Sequence, residues 1–447
     1  MSIIDTINIQ FSKNKIFYFI IATILIFFIL NNYFGIVFFN TNYLDLNKGD
    51  DRVATYLIIN FIKNQLHVSE IEHLINYRTN FNFYNTQFII LKILSIFLGE
   101  IVKIHTSYIY IVCLLNFFSC FFVLNNFVKK NKTINFCLSV LFTFTPFAIN
   151  NFIENIFALS YYSVPLIFYL LMSNISHKNI YFFSIYLLLI VNSGVDFLFY
   201  FLLLFVSKSI FFNKGSNKNY FNFILIIFLI FLSLFINKIL YGTYYFILNI
   251  DENFKFLELQ SLNLIKLFLP VENHWLSFFG NISTKYKNIM YAIPFENSSS
   301  SLGFLISIFI FFLFFYLVFF KIILNNYEVK ISKILEYKFL NQLTVYFLII
   351  ILFSIIGGFG IIFSTLFISV TNFSTSTIFI YFIGILILQN VLSLNYTIYI
   401  NHKSFIFVCI CILFLSLIDQ VGRPTPFISF IKNEKITTDL KEISIRC

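Results

Sequence analysis

The chain has 447 residues, of which 59% are hydrophobic and only 11% are charged, whereas soluble proteins carry about 25% charged residues. This composition excludes an ordinary soluble globular protein and indicates a membrane protein. The formal net charge of +10 is compatible with binding to nucleic acid or to an anionic membrane surface, and only the positions of the charges distinguish these two partners.

The first apolar stretch, residues 16–38, is too long for the core of a cleavable signal peptide, and no small-residue cleavage site follows it. We therefore expect a retained membrane-spanning helix there. A spanning helix needs roughly 17 to 25 mostly apolar residues, and ten further stretches meet or approach this length. The eleven predicted spans are 16–38, 107–128, 134–150, 157–173, 179–194, 196–212, 220–243, 302–324, 341–359, 376–396 and 404–419.

The stretch 88–98, FIILKILSIFL, is apolar but short, contains Lys92 and is followed by Glu100. Such a stretch predicts a helix that lies at the membrane surface and does not cross. The predicted fold class is therefore all-α. We expect a polytopic integral membrane protein with about eleven transmembrane helices and two larger outward loops that carry amphipathic interfacial helices.

The distribution of Lys and Arg tests this arrangement, because short cytoplasmic loops carry an excess of both. With the N-terminus inside, the cytoplasmic segments hold fourteen basic and three acidic residues, against sixteen basic and seventeen acidic residues elsewhere. The bias supports a cytoplasmic N-terminus and an outward C-terminus, and it favours topology over nucleic-acid binding as the reason for the positive charge. The counted residues are Lys13, Lys15, Lys129, Lys130, Lys132, Lys178, Lys208, Lys214, Lys218, Lys321, Lys330, Lys333, Lys338 and Lys403, with Asp5, Glu328 and Glu336.

Three segments of some length then face outward: residues 39–106, residues 244–301 and the tail from about 420 to 447. We expect one transmembrane domain over residues 1–420 and a short outward tail over residues 421–447, which would correspond to a truncated extracytoplasmic domain. Five of the six cysteines lie in apolar spans, and their spacing predicts neither a disulfide framework nor a zinc site.

The first outward loop has the densest polar cluster, NKGDDRVATYLIINFIKNQ, over residues 47–65. Polar residues recur there at helical spacing, with apolar residues on the opposite face. This pattern predicts an amphipathic helix on the membrane surface with Asp50 and Asp51 at its N-terminal end. One aspartate at that position is explained by helix capping. Two adjacent carboxylates also suit a divalent cation or a general base.

Other candidate polar residues lie at the predicted helix ends and in the second outward loop. Glu154 and Asp196 follow predicted spans, where a carboxylate is either solvated or functional. His274 stands beside Trp275, the only tryptophan, and this pair is typical of an interface anchor. Alternatively, His274 with Lys266, Lys238 or Arg78 binds the phosphate of a membrane-borne substrate.

Motifs for soluble cofactors and for the common hydrolases are absent from the sequence. There is no GxxxxGK phosphate loop, no HExxH, no GxSxG and no dinucleotide-binding fingerprint. These absences count against ATP-driven transport and against chemistry with soluble cofactors.

The order of features resembles the GT-C class of membrane glycosyltransferases, and within it the YfhO-like group of bacterial polytopic proteins. The matching stretches are GDDRVATYLIINFIKN from Gly49, TFTPFAINN at 143–151, YYSVPLIFYLL at 161–171, LFLPVENHW at 267–275, FENSSSSLGF at 295–304 and DQVGRPTPF at 419–427. Relatives commonly have an arginine motif before the tenth span, where this chain reads VTNFSTSTIF.

The resemblance implies transfer of a sugar from a polyprenyl-phosphate donor to a lipid-linked or cell-surface glycan, such as a lipopolysaccharide, on the outward face of the bacterial inner membrane. It assigns Asp50 as catalytic base or metal ligand, with Asp51 and Glu154 assisting. Arg78, Lys238 and His274 are the candidate phosphate-binding residues. Any cofactor is a divalent cation, Mg²⁺ or Mn²⁺, held by Asp50 and Asp51.

Two other readings of the chain stay open. A polymerase or flippase for lipid-linked oligosaccharides has similar length and hydrophobicity. A flippase predicts ionisable residues along a path within the spans, and these are nearly absent, whereas a polymerase predicts outward arginines, of which residues 244–301 have none. A non-catalytic relative is the third reading, favoured by the end of the chain soon after the tail begins.

Overall fold

The described part of the chain is all-α, as predicted from the sequence. It is taken from a computed structural model, which describes residues 13–33, 59, 63, 85–127, 132–149, 159–172, 180–191, 193–212, 261–272, 274–290, 301–315, 337–355, 358–360, 375–398 and 402–421. Within these ranges there are helices and turns and no β-strand, apart from one isolated bridge between Leu262 and Ile355.

Thirteen α-helices lie within the described ranges, and a π-helical turn, Ile29–Tyr33, extends the first of them. In chain order they are α1 (Lys13–Phe28), α2 (Asn85–Phe97), α3 (Ile101–Phe127), α4 (Lys132–Thr143), α5 (Ser163–Met172), α6 (Ile180–Val191), α7 (Val195–Phe211), α8 (Leu264–Phe268), α9 (Ser277–Met290), α10 (Phe304–Phe315), α11 (Tyr337–Ser354), α12 (Ser376–Ile398) and α13 (His402–Val421).

Two of the described helices are long and apolar enough to cross a membrane, judged by length and composition: Lys103–Phe127 within α3 and Ser376–Ser393 within α12. At 1.5 Å per residue, the 27 residues of α3 extend about 40 Å. The described parts of α1, α2, α4, α5, α11 and α13 contain shorter apolar segments. The eleven-span arrangement therefore stays a prediction.

Three hydrogen bonds give the relative directions of α3, α4 and α12. On α12, Tyr381 contacts the carbonyl of Leu141 late in α4, whereas Gln389, two turns further on, contacts Asn135 early in α4. These two helices are therefore antiparallel. Gln389 also donates to Leu124 near the end of α3, so α3 and α12 run in the same direction. We call the end at which α3 begins the upper end of the bundle.

Helix α12 lies at the centre of the described bundle. Its residues 376–389 are all buried. The Phe382 ring lies 5.3 Å from the rings of both Phe142 and Phe168. A helix that is apolar on all sides is suited to such a position because every face can pack against a neighbour.

The structure places α2 beside the upper part of the bundle. Gln87, near its start, donates to the carbonyl of Ser193 at the turn between α6 and α7, and three residues join its end to the start of α3. Its 13 residues extend about 20 Å, half the length of α3. This geometry agrees with a helix that does not cross the bundle from end to end.

Candidate functional site

Most of the predicted site residues lie outside the described residues. Asp50, Asp51, Arg78, Glu154 and Lys238 belong to this group, and their predicted roles stay predictions. Within residues 39–84, Ile59 and Lys63 are described.

These two loop residues lie one helical turn apart. Ile59 is fully buried, and the Lys63 carbonyl lies 3.5 Å from Nζ of Lys92 on α2. The loop therefore packs against α2 at this point.

His274 is buried where the segment between α8 and α9 meets the last described helix, α13. Its Nε2 lies 2.7 Å from Oδ1 of Asp419 near the end of α13, and the backbone N–H of Leu276 donates to Nδ1 at 3.0 Å. With Nδ1 accepting, a neutral imidazole carries its proton on Nε2 and donates it to the carboxylate. The carbonyl of Leu276 lies 3.3 Å from the same Nδ1, so a doubly protonated ring also finds an acceptor.

Residues close to His274 in the sequence stabilise the turn that contains it. Asn263 caps α8, because its Oδ1 accepts from the N–H of Ile265 at 3.0 Å, and its Nδ2 donates to Tyr286 on α9. Ser283 on α9 donates to the carbonyl of Pro270. An added Cβ on Gly280 would lie 2.7 Å from the carbonyl oxygen of Glu272, so a glycine lets α9 approach the turn this closely.

The residues at the start of α10 pack against the same turn. Ser301 donates to the carbonyl of Leu269, and the N–H of Leu302 donates to that of Leu267. Gly303 follows with φ of 74°, in the left-handed region, and an added Cβ would lie 2.7 Å from Gln420 Cγ and 3.1 Å from Asp419 Oδ2. Glycine is needed here for both its backbone conformation and its small size.

A second set of buried hydrogen bonds extends from Gln420 into the bundle. Its Nε2 donates to the Tyr381 hydroxyl, which donates to the carbonyl of Leu141 at 3.2 Å. Tyr161 donates to the carbonyls of Phe142 and Thr143, at 3.1 and 2.8 Å. Through these contacts, five of the stretches that carry the resemblance meet or adjoin at the upper end of the bundle.

Asp196 belongs to a neighbouring polar cluster. It lies in the first turn of α7 and is only 8% exposed, so it is not a solvated helix-end carboxylate. One turn later, the Tyr200 hydroxyl lies 2.6 Å from Ser354 Oγ at the end of α11, and the N–H of Leu262 donates to the carbonyl of Ser354. A carboxylate in the first turn is favoured by the helix dipole.

In the described part of the site, contacts within the protein hold the His274 ring in place. Both ring nitrogens of His274 have hydrogen-bond partners within the protein, so a bound phosphate would have to replace one of them. Within the described ranges, no group of three or more His, Cys, Asp or Glu side chains is placed to hold a metal ion. The phosphate role predicted for His274 stays a prediction.

Sequence reasoning did not identify Asp419, Gln420 or Tyr381 as site residues. Asp419 and Gln420 open the stretch DQVGRPTPF, and two polar residues at the end of an apolar helix are the signal that marks them. Tyr381 lies inside an apolar helix and gives no signal of its own. No known protein family matches the chain, and no curated protein and no solved structure is significantly similar to it.

Proposed function

We propose that the chain is a polytopic protein of the bacterial inner membrane, with about eleven spans, a cytoplasmic N-terminus and an outward C-terminus. The composition and the distribution of basic residues support this placement. Large apolar side chains exposed on the outer faces of three helices also support it, since such patches are unfavourable in water. They include Ile24 and Phe28 on α1, Phe311 and Phe312 on α10, and Phe414 and Leu415 on α13.

On this placement, we propose that the protein is a glycosyltransferase of GT-C type that uses a polyprenyl-phosphate sugar as donor and a lipid-linked or surface glycan as acceptor. One observation carries this proposal: His274, Gly303 and Asp419, from three separate stretches of the resemblance, pack together at one end of the bundle. The membrane orientation proposed above makes this the outward end, which is also where both predicted catalytic aspartates would lie.

In the proposed reaction, Asp50 takes the proton of the acceptor hydroxyl as its oxygen attacks the anomeric carbon of the sugar. The bond between that carbon and the phosphate oxygen breaks, and polyprenyl phosphate leaves with the electron pair. Asp51 and Glu154 assist, and Arg78 and Lys238 balance the charge of the departing phosphate. In the alternative role of Asp50, this residue and Asp51 would hold a divalent cation, which would polarise the phosphate.

The test is substitution in cells, scored by the profile of surface glycans. Asp50→Ala, Asp51→Ala and the double variant should each lower the amount of the finished glycan, because an essential base or phosphate-positioning group is lost. Asp45→Ala is the matched control, since this carboxylate lies in the same loop outside the predicted pair.

Protein levels must be equal in all strains for the comparison to hold. A normal glycan profile in the double variant would overturn the catalytic proposal. Accumulation of the lipid-linked precursor on the inner leaflet alone would indicate a flippase and would contradict transfer on the outward face.

A further inference from the structure

Helix α9 exposes an apolar face. Phe278, Ile282 and Ile289 are 69%, 38% and 78% exposed, and their spacing places them on one side of the helix. The side that packs against the protein includes Gly280 and the buried Ser283. A surface helix in water has the opposite pattern, with its apolar side inward.

Exposed apolar side chains also precede α9. Trp275 and Leu276, immediately before the helix, are 42% and 60% exposed. In α8, Phe268 is 42% exposed, and its ring lies 6.3 Å from that of Phe311 on α10, itself 55% exposed. The exposed surface of α8 is thus continuous with the outer face of α10, one of the faces proposed above to meet lipid.

The polar residues on α9 suit a membrane boundary. Lys285 lies within the exposed apolar stripe, and Asn281 and Asn288 lie along one edge of it. A lysine can extend its ammonium group towards headgroups while its alkyl chain stays among apolar side chains. Tryptophan is enriched at the same depth of the bilayer.

We propose that residues 264–290 lie within the outer leaflet of the membrane, with Trp275, Leu276 and Phe278 inserted below the phospholipid headgroups. The partner of this surface is the lipid leaflet itself. The inference rests on the proposed membrane placement. It extends that placement because it gives the depth at which residues 264–290 lie in the bilayer.

This depth determines how substrate reaches the site. His274 directly precedes Trp275 and is bonded to Asp419, so the His274–Asp419 pair lies near the headgroups. The phosphate of a polyprenyl-phosphate donor also lies at the depth of the headgroups. The donor therefore reaches the upper end of the bundle by lateral diffusion within the leaflet, without leaving it.

The single tryptophan makes the depth measurable. The full-length protein is reconstituted in phosphatidylcholine vesicles whose acyl chains carry bromine either near the headgroup or near the terminal methyl group. Bromine quenches tryptophan emission on contact. We expect Trp275 emission to be quenched more strongly by the bromine near the headgroup.

A depth control uses the same lipids with Trp275→Phe combined with Phe312→Trp. Phe312 is 63% exposed and lies near the middle of the predicted span 302–324, so this variant should be quenched more strongly by bromine near the terminal methyl group. Trp275→Phe alone supplies the background emission.

The outcomes separate this inference from the proposed function. If Phe312→Trp is quenched and Trp275 is not, the membrane placement stands and the lipid contact of residues 264–290 is overturned. If Trp275 becomes accessible only on dilution of the protein in the vesicles, the surface binds a second copy of the chain and the inference is equally overturned. If neither is quenched, the membrane placement itself fails.

Discussion

His274 and Asp419 are 145 residues apart in sequence, yet His274 Nε2 lies 2.7 Å from Asp419 Oδ1, with the two side chains only 8% and 14% exposed. This contact joins the segment between α8 and α9 to the end of the last described helix. Because both groups are largely removed from solvent, removing either one leaves the other with an unsatisfied polar atom.

We therefore expect His274→Ala and Asp419→Ala each to lower the free energy of unfolding by about 1–3 kcal/mol. The double variant should lose less than the sum of the two, because the second substitution removes a group that has already lost its partner. Unfolding can be followed with a thiol-reactive dye, since Cys113 and Cys120 are buried in the folded protein. Strictly additive losses would contradict a direct interaction.

Gly303 provides a second test of the same region. Alanine there would have to adopt a left-handed backbone with its Cβ 2.7 Å from Gln420 Cγ, so we expect Gly303→Ala to destabilise the protein by about 1–3 kcal/mol. Gly99→Ala is the matched control, because no atom lies within 4 Å of the added Cβ. Equal melting temperatures for the two variants would show that the close approach is absent.

Gly384 lies where α12 contacts α10. An added Cβ would lie 2.6 Å from Cγ2 of Ile306, so we expect Gly384→Ala to destabilise the bundle by overpacking, at a cost of about 1–3 kcal/mol. Ile306→Ala leaves a cavity of its own, but combined with Gly384→Ala it gives the new methyl group room. The double variant should melt at a higher temperature than the sum of the single effects predicts. If it does not, the two helices are not in contact there.

The bond between Tyr200 and Ser354 joins the start of α7 to the end of α11. On the proposed membrane placement, hydrogen bonds between helices contribute about 0.6 kcal/mol on average, so Tyr200→Phe should have a small effect of that order. Ser354→Ala should have an effect of the same order, since each hydroxyl is buried and each variant leaves one of them without this partner. The melting temperatures of the two variants, compared with Ser95→Ala on partly buried α2, test this expectation.

The apolar stretches of the sequence predicted the positions of most described helices. The reason is that a long apolar stretch must be buried, and a helix satisfies its backbone hydrogen bonds there. The prediction 376–396 corresponds to Ser376–Ile398, and 404–419 to His402–Val421. The prediction 157–173 begins too early, since within the described residues the helix starts at Ser163. Tyr161, just before it, instead donates to two carbonyls near the end of α4.

The candidate site was less accessible to prediction. Apolar periodicity is a local pattern, whereas the partner of His274 is determined by how the helices assemble. The close approach of Gly303 to Gln420 depends in the same way on a residue more than a hundred positions away. Polar residues at helix ends can be recognised in the sequence, but which of them meet is decided by tertiary packing.

The contacts of the segment 261–276 have a consequence for hydrogen–deuterium exchange. The amide hydrogens of Leu262 and Leu302 lie outside regular helix, yet they are donated to the carbonyls of Ser354 and Leu267, and both residues are nearly inaccessible. Exchange requires such a bond to open, so these two amides should retain their protons on the timescale of the helical interior. We therefore expect the irregular backbone around Leu262 and Leu302 to open as slowly as the helices that it connects.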